Sequence, residues 1–191
     1  MHYNKMSITK YVKELSSAKP VPGGGSAAAL VGTLGIALSS MVVQITMKKA
    51  SPAKQKELKR YLKELQRIMQ ATRILIDKDA RTYRMVIMSY KLPRSQPRRA
   101  QRVQKSLFAS FTVMKELCSY LLRAHAINRK IFRLSHGAIL NDVCVSQVFL
   151  HAALSSAVAT ASLNAEYITS KKRRKKLLDQ IQKINEQKRK R

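Results

Sequence analysis

Apolar residues recur every three or four positions along most of this chain, and no segment sustains the period-two alternation of a half-buried strand. Ser7 is placed to cap a short first helix whose apolar side would be Ile8, Tyr11, Val12 and Leu15. The pattern breaks at Lys19-Pro20-Val21-Pro22, followed by Gly23, Gly24 and Gly25, where fixed and permissive backbone meet. Ser26 is then the expected cap of a second helix rich in Ala, Gly and Ser, which lets neighbouring helices come close. Ser51-Pro52 opens a long stretch to about Tyr90, striped by Leu58, Tyr61, Leu65, Ile68, Thr72, Leu75, Ile76, Tyr83, Val86 and Tyr90. This predicts one continuous amphipathic helix or two in line, ended by Pro93 and Pro97. Another stripe runs from Val103 through Leu107, Phe111, Met114, Leu117, Cys118 and Leu121 to Ala124, and after a loop at Ser135-His136-Gly137 a largely apolar helix is expected over Ile139 to Ile168. The fold class is all-α, with no internal repeat.

Charge changes the picture at two places. The chain has 191 residues, 38 Lys and Arg against 10 Asp and Glu, and a formal net charge of +28, so its field favours anionic partners such as nucleic acid, anionic lipid or polycarboxylates. Yet Pro20 to Met47 contains no charged residue. That run could span a bilayer by length, but Pro20, Pro22 and the glycines consume its start and polar residues are spread around it, as in the central helix of a soluble bundle. No membrane span is expected. From Thr169 to Arg191 the composition turns basic, with Leu177, Leu178, Ile181 and Ile184 keeping a helical stripe. The expected organisation is a helical domain over 1–168 and a basic amphipathic C-terminal helix or tail over 169–191, either simply solvated or able to bind a polyanion. The start has no secretory pattern, and Cys118 and Cys144 do not make a disulfide scaffold, so a reducing, cytoplasmic setting is expected.

Three features could carry chemistry. The turn at Gly23, Gly24, Gly25 and Ser26 feeds a helix N-terminus, whose free N–H groups suit a carboxylate or phosphate; it reads equally as a tight turn between packed helices. Asp77 and Asp79 are two of only ten acids, and Asp79 falls on the apolar stripe. An inward acid must be paired with a buried cation or put to use as a general base or a charge stabiliser. Asp142 is a second isolated acid, either a site residue or a partner of its helix N-terminus. His2, His125, His136 and His151 have no ligand spacing, so no metal site is expected.

The run from Pro20 through Gly35, with Ala37, Leu38, Met41, Val42 and Thr46, resembles the methenyltetrahydrofolate cyclohydrolase and formiminotetrahydrofolate cyclodeaminase family. So does Asp77-Lys78-Asp79-Ala80 with Tyr83 and Tyr90-Lys91-Leu92-Pro93, while Asp142 and Asn164 fall on family positions. The likeness covers roughly 7–168. It implies an antiparallel bundle of long helices, a homodimer, and one-carbon chemistry on a tetrahydrofolate substrate with no further cofactor. By the same resemblance, Asp79 or Asp77 is the acid/base, and Gly23, Gly24, Gly25, Ser26, Lys91, Asp142 and Asn164 contact substrate. The alternative is a diverged, non-catalytic relative that binds nucleic acid or another polyanion. Family members carry arginine and asparagine where this chain has Ser155, Thr160 and Ser162, and differ also at Ser135, His136 and Met114.

Overall fold

The computed structural model describes residues 2–189, and among them it contains helices and no strand. A short 3-10 turn, Tyr3–Lys5, precedes α1 (Ile8–Leu15), α2 (Gly24–Met47), α3 (Pro52–Lys91), α4 (Arg99–Leu134), α5 (Ile139–Glu166) and α6 (Lys171–Arg189). The long stretch is one unbroken helix of 40 residues, about 60 Å from end to end. Leu92 is extended ahead of Pro93, which ends it.

Helix α2 is the centre of an antiparallel bundle, packed on α3, α4 and α5. Its small residues set the spacing: a Cβ on Gly32 would sit 2.5 Å from Leu121 of α4, and one on Gly35 would sit 3.1 Å from Leu150 of α5. Two registers follow. Gly25 lies beside Asp79 and Thr33 bonds Thr72 at 3.0 Å, while Gly32 lies beside Ala153 and Ser39 meets Ser146 at 2.7 Å, so both α3 and α5 run against α2. Asn128 of α4 donates to both serines of that second pair, so the buried polar side chains in mid-core share one cluster. Both α2 and α5 are long and apolar enough to cross a membrane by length and composition alone. In this structure α2 spends its glycine, alanine and serine side on neighbouring helices.

The ends of the chain differ from the sequence expectation. Ser7 caps α1 as expected, accepting from the Lys10 N–H, but of the expected apolar side only Tyr11 is buried; Ile8, Val12 and Leu15 face outward. Leu177, Ile181 and Ile184 of α6 join the core, so the basic segment through Arg189 is a docked helix. The last two residues of the expected tail, Lys190 and Arg191, lie outside the described residues. Met114 is fully buried inside α4.

Candidate functional site

Ser26 does not cap α2. The helix begins at Gly24, with Gly23 in extended conformation as its cap, and glycine has no side chain to satisfy the free N–H groups of the first turn. Asp79 of α3 supplies that acceptor from across the bundle: its carboxylate takes the Ser26 N–H. The positive end of the α2 dipole therefore already holds an anion, and that anion belongs to the protein. Gly25 makes this contact feasible, since a Cβ there would lie 2.4 Å from Asp79 Oδ1. At Gly24 a Cβ would meet nothing within 4 Å. Only the third glycine of the turn is demanded by packing.

Asp79 is 4% exposed and, among the described residues, takes part in no ion pair. Burial pushes its carboxyl up to about 6, against the opposing pull of the Ser26 N–H. The Ser26 hydroxyl meets the Tyr11 hydroxyl at 2.9 Å, so α1 is joined to the start of α2 beside Asp79. Burial raises the Tyr11 phenol; the Ser26 bond lowers it, and the nearby Asp79 charge raises it further. Sequence reasoning took Tyr11 for one more apolar residue of α1. The available signal was a phenol on a buried stripe, whose hydroxyl requires a partner.

One helical turn beyond Asp79, on the same face of α3, Tyr83 opens a cavity of about 530 Å³. Val86, Ile87, Tyr90 and Lys91 continue along that face, Leu107 of α4 closes the base, and Leu163, Asn164 and Tyr167 come from the end of α5. The α2–α5 register, with 39 beside 146 and 32 beside 153, brings the glycine turn to this same end of the bundle. Lys91 and Asn164 thus line one cavity, and the Asn164 amide donates to Ser110 at 3.0 Å. Tyr167, which the sequence reading passed over, stands at its mouth, 59% exposed.

Two predicted site residues lie elsewhere. Asp77 faces another side of α3, where it accepts the Asn4 N–H at 3.1 Å and meets His2 Nδ1 at 3.3 Å, clasping the N-terminal segment. Asp142 sits in the first turn of α5, at the opposite end of the bundle, about 27 Å along α2 from Gly25 by helix rise. It is a dipole partner for its own helix and not a neighbour of Asp79. Ser155 and Thr160 bond back to carbonyls of their own helix, at His151 and Ser156, and supply no charge.

The fold is an all-helical bundle, with a buried acid set against a glycine-built helix start. A family model described as Formiminotransferase-cyclodeaminase matches residues 7–183, and the chain belongs to that family. It is similar to a methenyltetrahydrofolate cyclohydrolase of Methylorubrum extorquens, 27% identical over 84% of this chain and 79% of the other. It is also similar to the formimidoyltransferase-cyclodeaminase of Mus musculus, 26% identical over 85% of this chain but only 31% of that longer protein. The crystal structure of formiminotetrahydrofolate cyclodeaminase from Thermotoga maritima superposes with a TM-score of 0.88, covering 97% of this chain and 91% of that one at 20% identity, a likeness of fold. The matched region runs through most of α6, in keeping with the packing of that helix on the bundle.

Proposed function

We propose that the chain hydrolyses 5,10-methenyltetrahydrofolate to 10-formyltetrahydrofolate, with Asp79 as the acid/base. The observation that carries this reading is a buried carboxylate with no cationic partner among the described residues, set one helical turn from a cavity walled by Tyr83, Tyr90, Lys91 and Asn164. The substrate's carbon between N5 and N10 is cationic. Bringing it beside Asp79 offsets the cost of keeping that carboxylate charged in a dry site, so substrate binding and ionisation of Asp79 favour each other. Water then adds to the bridging carbon as Asp79 takes one of its protons, and that proton passes to N5 as the C–N5 bond breaks. The remaining hydroxyl proton leaves to solvent as the formyl carbonyl forms, so that one proton is released for the positive charge lost. The relative of comparable length is a cyclohydrolase, which favours this direction. The second reading, ring closure of 5-formiminotetrahydrofolate with loss of ammonia, uses the same carboxylate and is favoured by the fold likeness to a stand-alone cyclodeaminase.

The active unit in this reading is a homodimer. Ile8, Val12 and Leu15 on α1, Leu34, Met41 and Ile45 on α2, and Val148 on α5 are exposed in one protomer of a highly charged chain. A second copy is the partner that would cover them. The free thiols Cys118 and Cys144 suit a reducing compartment, the cytoplasm in this reading.

The test is the loss of near-ultraviolet absorbance of 5,10-methenyltetrahydrofolate, run beside ammonia release from the 5-formimino substrate. Catalysis above buffer in the first, lost in Asp79→Asn, supports the proposal, and catalysis in the second alone selects the cyclodeaminase reading. A protein that binds the folate and turns over neither would be a diverged, non-catalytic relative.

A further inference from the structure

The folate chemistry leaves the charge of +28 unexplained, because one small substrate needs a few cations and not dozens. Two of the densest basic segments are brought together by the fold. No Asp or Glu occurs from Ala80 through Lys115, and within that stretch Arg94 and Arg98 lie in the turn from α3 into α4 while Arg102 and Lys105 follow on the first turns of α4. The other segment is the uninterrupted run Lys171 to Lys176 that begins α6.

Specific contacts join them. The Gln104 side chain donates to the Tyr167 carbonyl at 3.2 Å and accepts the Thr169 N–H at 2.9 Å, pinning the start of α6 to α4. The Arg173 guanidinium lies 4.0 Å from the centre of the Phe108 ring, also on α4. Arg99 reaches back to the Tyr90 and Leu92 carbonyls and fixes the end of α3 against α4. The combined basic surface therefore has a defined shape, and in its midst Tyr90 and Tyr167 stand at the mouth of one cavity, 44% and 59% exposed.

We propose that this surface binds single-stranded nucleic acid, with phosphates along the two basic segments and bases stacked on Tyr90 and Tyr167. A flexible polyanion is drawn in by charge alone, but accessible aromatic faces amid the charge add an interaction that only unpaired bases supply. A duplex keeps its base faces stacked inside and would use the lysines without the tyrosines. The same mouth admits a planar heterocycle in the folate reading, so an oligonucleotide and a folate compete for it.

Fluorescence anisotropy of a labelled oligo-dT or oligo-U of about 16 nucleotides measures the binding. With roughly six phosphates engaged, log affinity against log salt should fall with a slope of about −4. The triple variant Lys172→Ala, Lys175→Ala, Lys176→Ala changes only exposed side chains; it should make that slope shallower by about 2 and leave folate turnover unchanged. Tyr167→Ala should weaken the oligonucleotide about tenfold with the salt slope intact, and Tyr90→Ala likewise. Competition by polyphosphate or poly-glutamate as effective, charge for charge, as the oligonucleotide would overturn the proposal, as would tyrosine variants with wild-type affinity or a duplex bound as tightly as the single strand. These readouts do not depend on catalysis, so they stand apart from the fate of the folate reading.

Discussion

Asp77 and Asp79 stand two residues apart on one helix, and the rotation of about 200° between them sends identical side chains to different surroundings. Asp77 meets the N-terminal segment at a part-buried position, and its partners, the Asn4 N–H and His2, are there to hold chain to chain. Asp79 points into the bundle, where it replaces the missing cap of α2 and, among the described residues, has no cation to balance it. The first arrangement is satisfied and ordinary. The second keeps an unbalanced charge in a dry place, a cost that a cationic substrate would remove. A sequence motif containing both acids does not say which is which; the helix phase does.

The largest effect expected from that contrast is on turnover. Asp79→Asn should lower kcat/KM for 5,10-methenyltetrahydrofolate by about 10³-fold, whereas Asp77→Ala should leave it within about threefold, both read from initial rates at neutral pH. Equal losses at the two positions would erase the distinction.

Gly25→Ala comes next. Its Cβ would overlap the buried Asp79, so the carboxylate must shift or α2 must move. A loss of about 10²-fold in kcat/KM and about 2 kcal/mol of stability is expected, measured by kinetics and urea unfolding. Gly24→Ala is the control, since a Cβ there meets open space.

The third prediction concerns pH. The folded-state value of Asp79, about 6, lies above the ordinary 3.8, so folding favours its protonated form. The stability from this group is complete below pH 3.8 and is lost as pH rises through 6, by about 3 kcal/mol in all. In Asp79→Asn that loss disappears, so the variant's Tm relative to wild type should climb as pH rises from 3.8 through about 6. A less active but more stable variant at neutral pH is the signature of a residue kept for function.

The smallest effect is on the clasp. Asp77→Ala removes two contacts that hold the N-terminal segment and should cost about 1 kcal/mol, seen as earlier proteolysis of that segment in native protein.

Much of this was legible before the structure. The stripes of Leu58 to Val86 and Val103 to Ala124 predicted α3 and α4 because burial of one helix face imposes a period that the residues must obey. Asp79 stood out because an acid on such a stripe breaks the period. The expected cap at Ser26 was wrong by the position of the helix start: Gly24 and Gly25 are helical, although glycine is the usual signal for a break. What holds them there is a carboxylate from a helix some fifty residues on, which no local pattern encodes. The role of α1 was missed for a related reason. Its stripe of Ile8, Val12 and Leu15 reads as a core face, and the structure leaves that face outside.

Residue order by itself determined the helices, their breaks at Pro93 and Gly137, and the scarcity of acids that makes Asp79 conspicuous, because helix period, proline sterics and composition act within a few residues. Only the packed bundle decided that Asp79 would meet Ser26, that Asp142 would lie at the far end, and that two basic segments nearly seventy residues apart would share one surface. Those outcomes depend on how α2 is surrounded, and the register of antiparallel helices is set by side chains interlocking across the bundle, not along the chain.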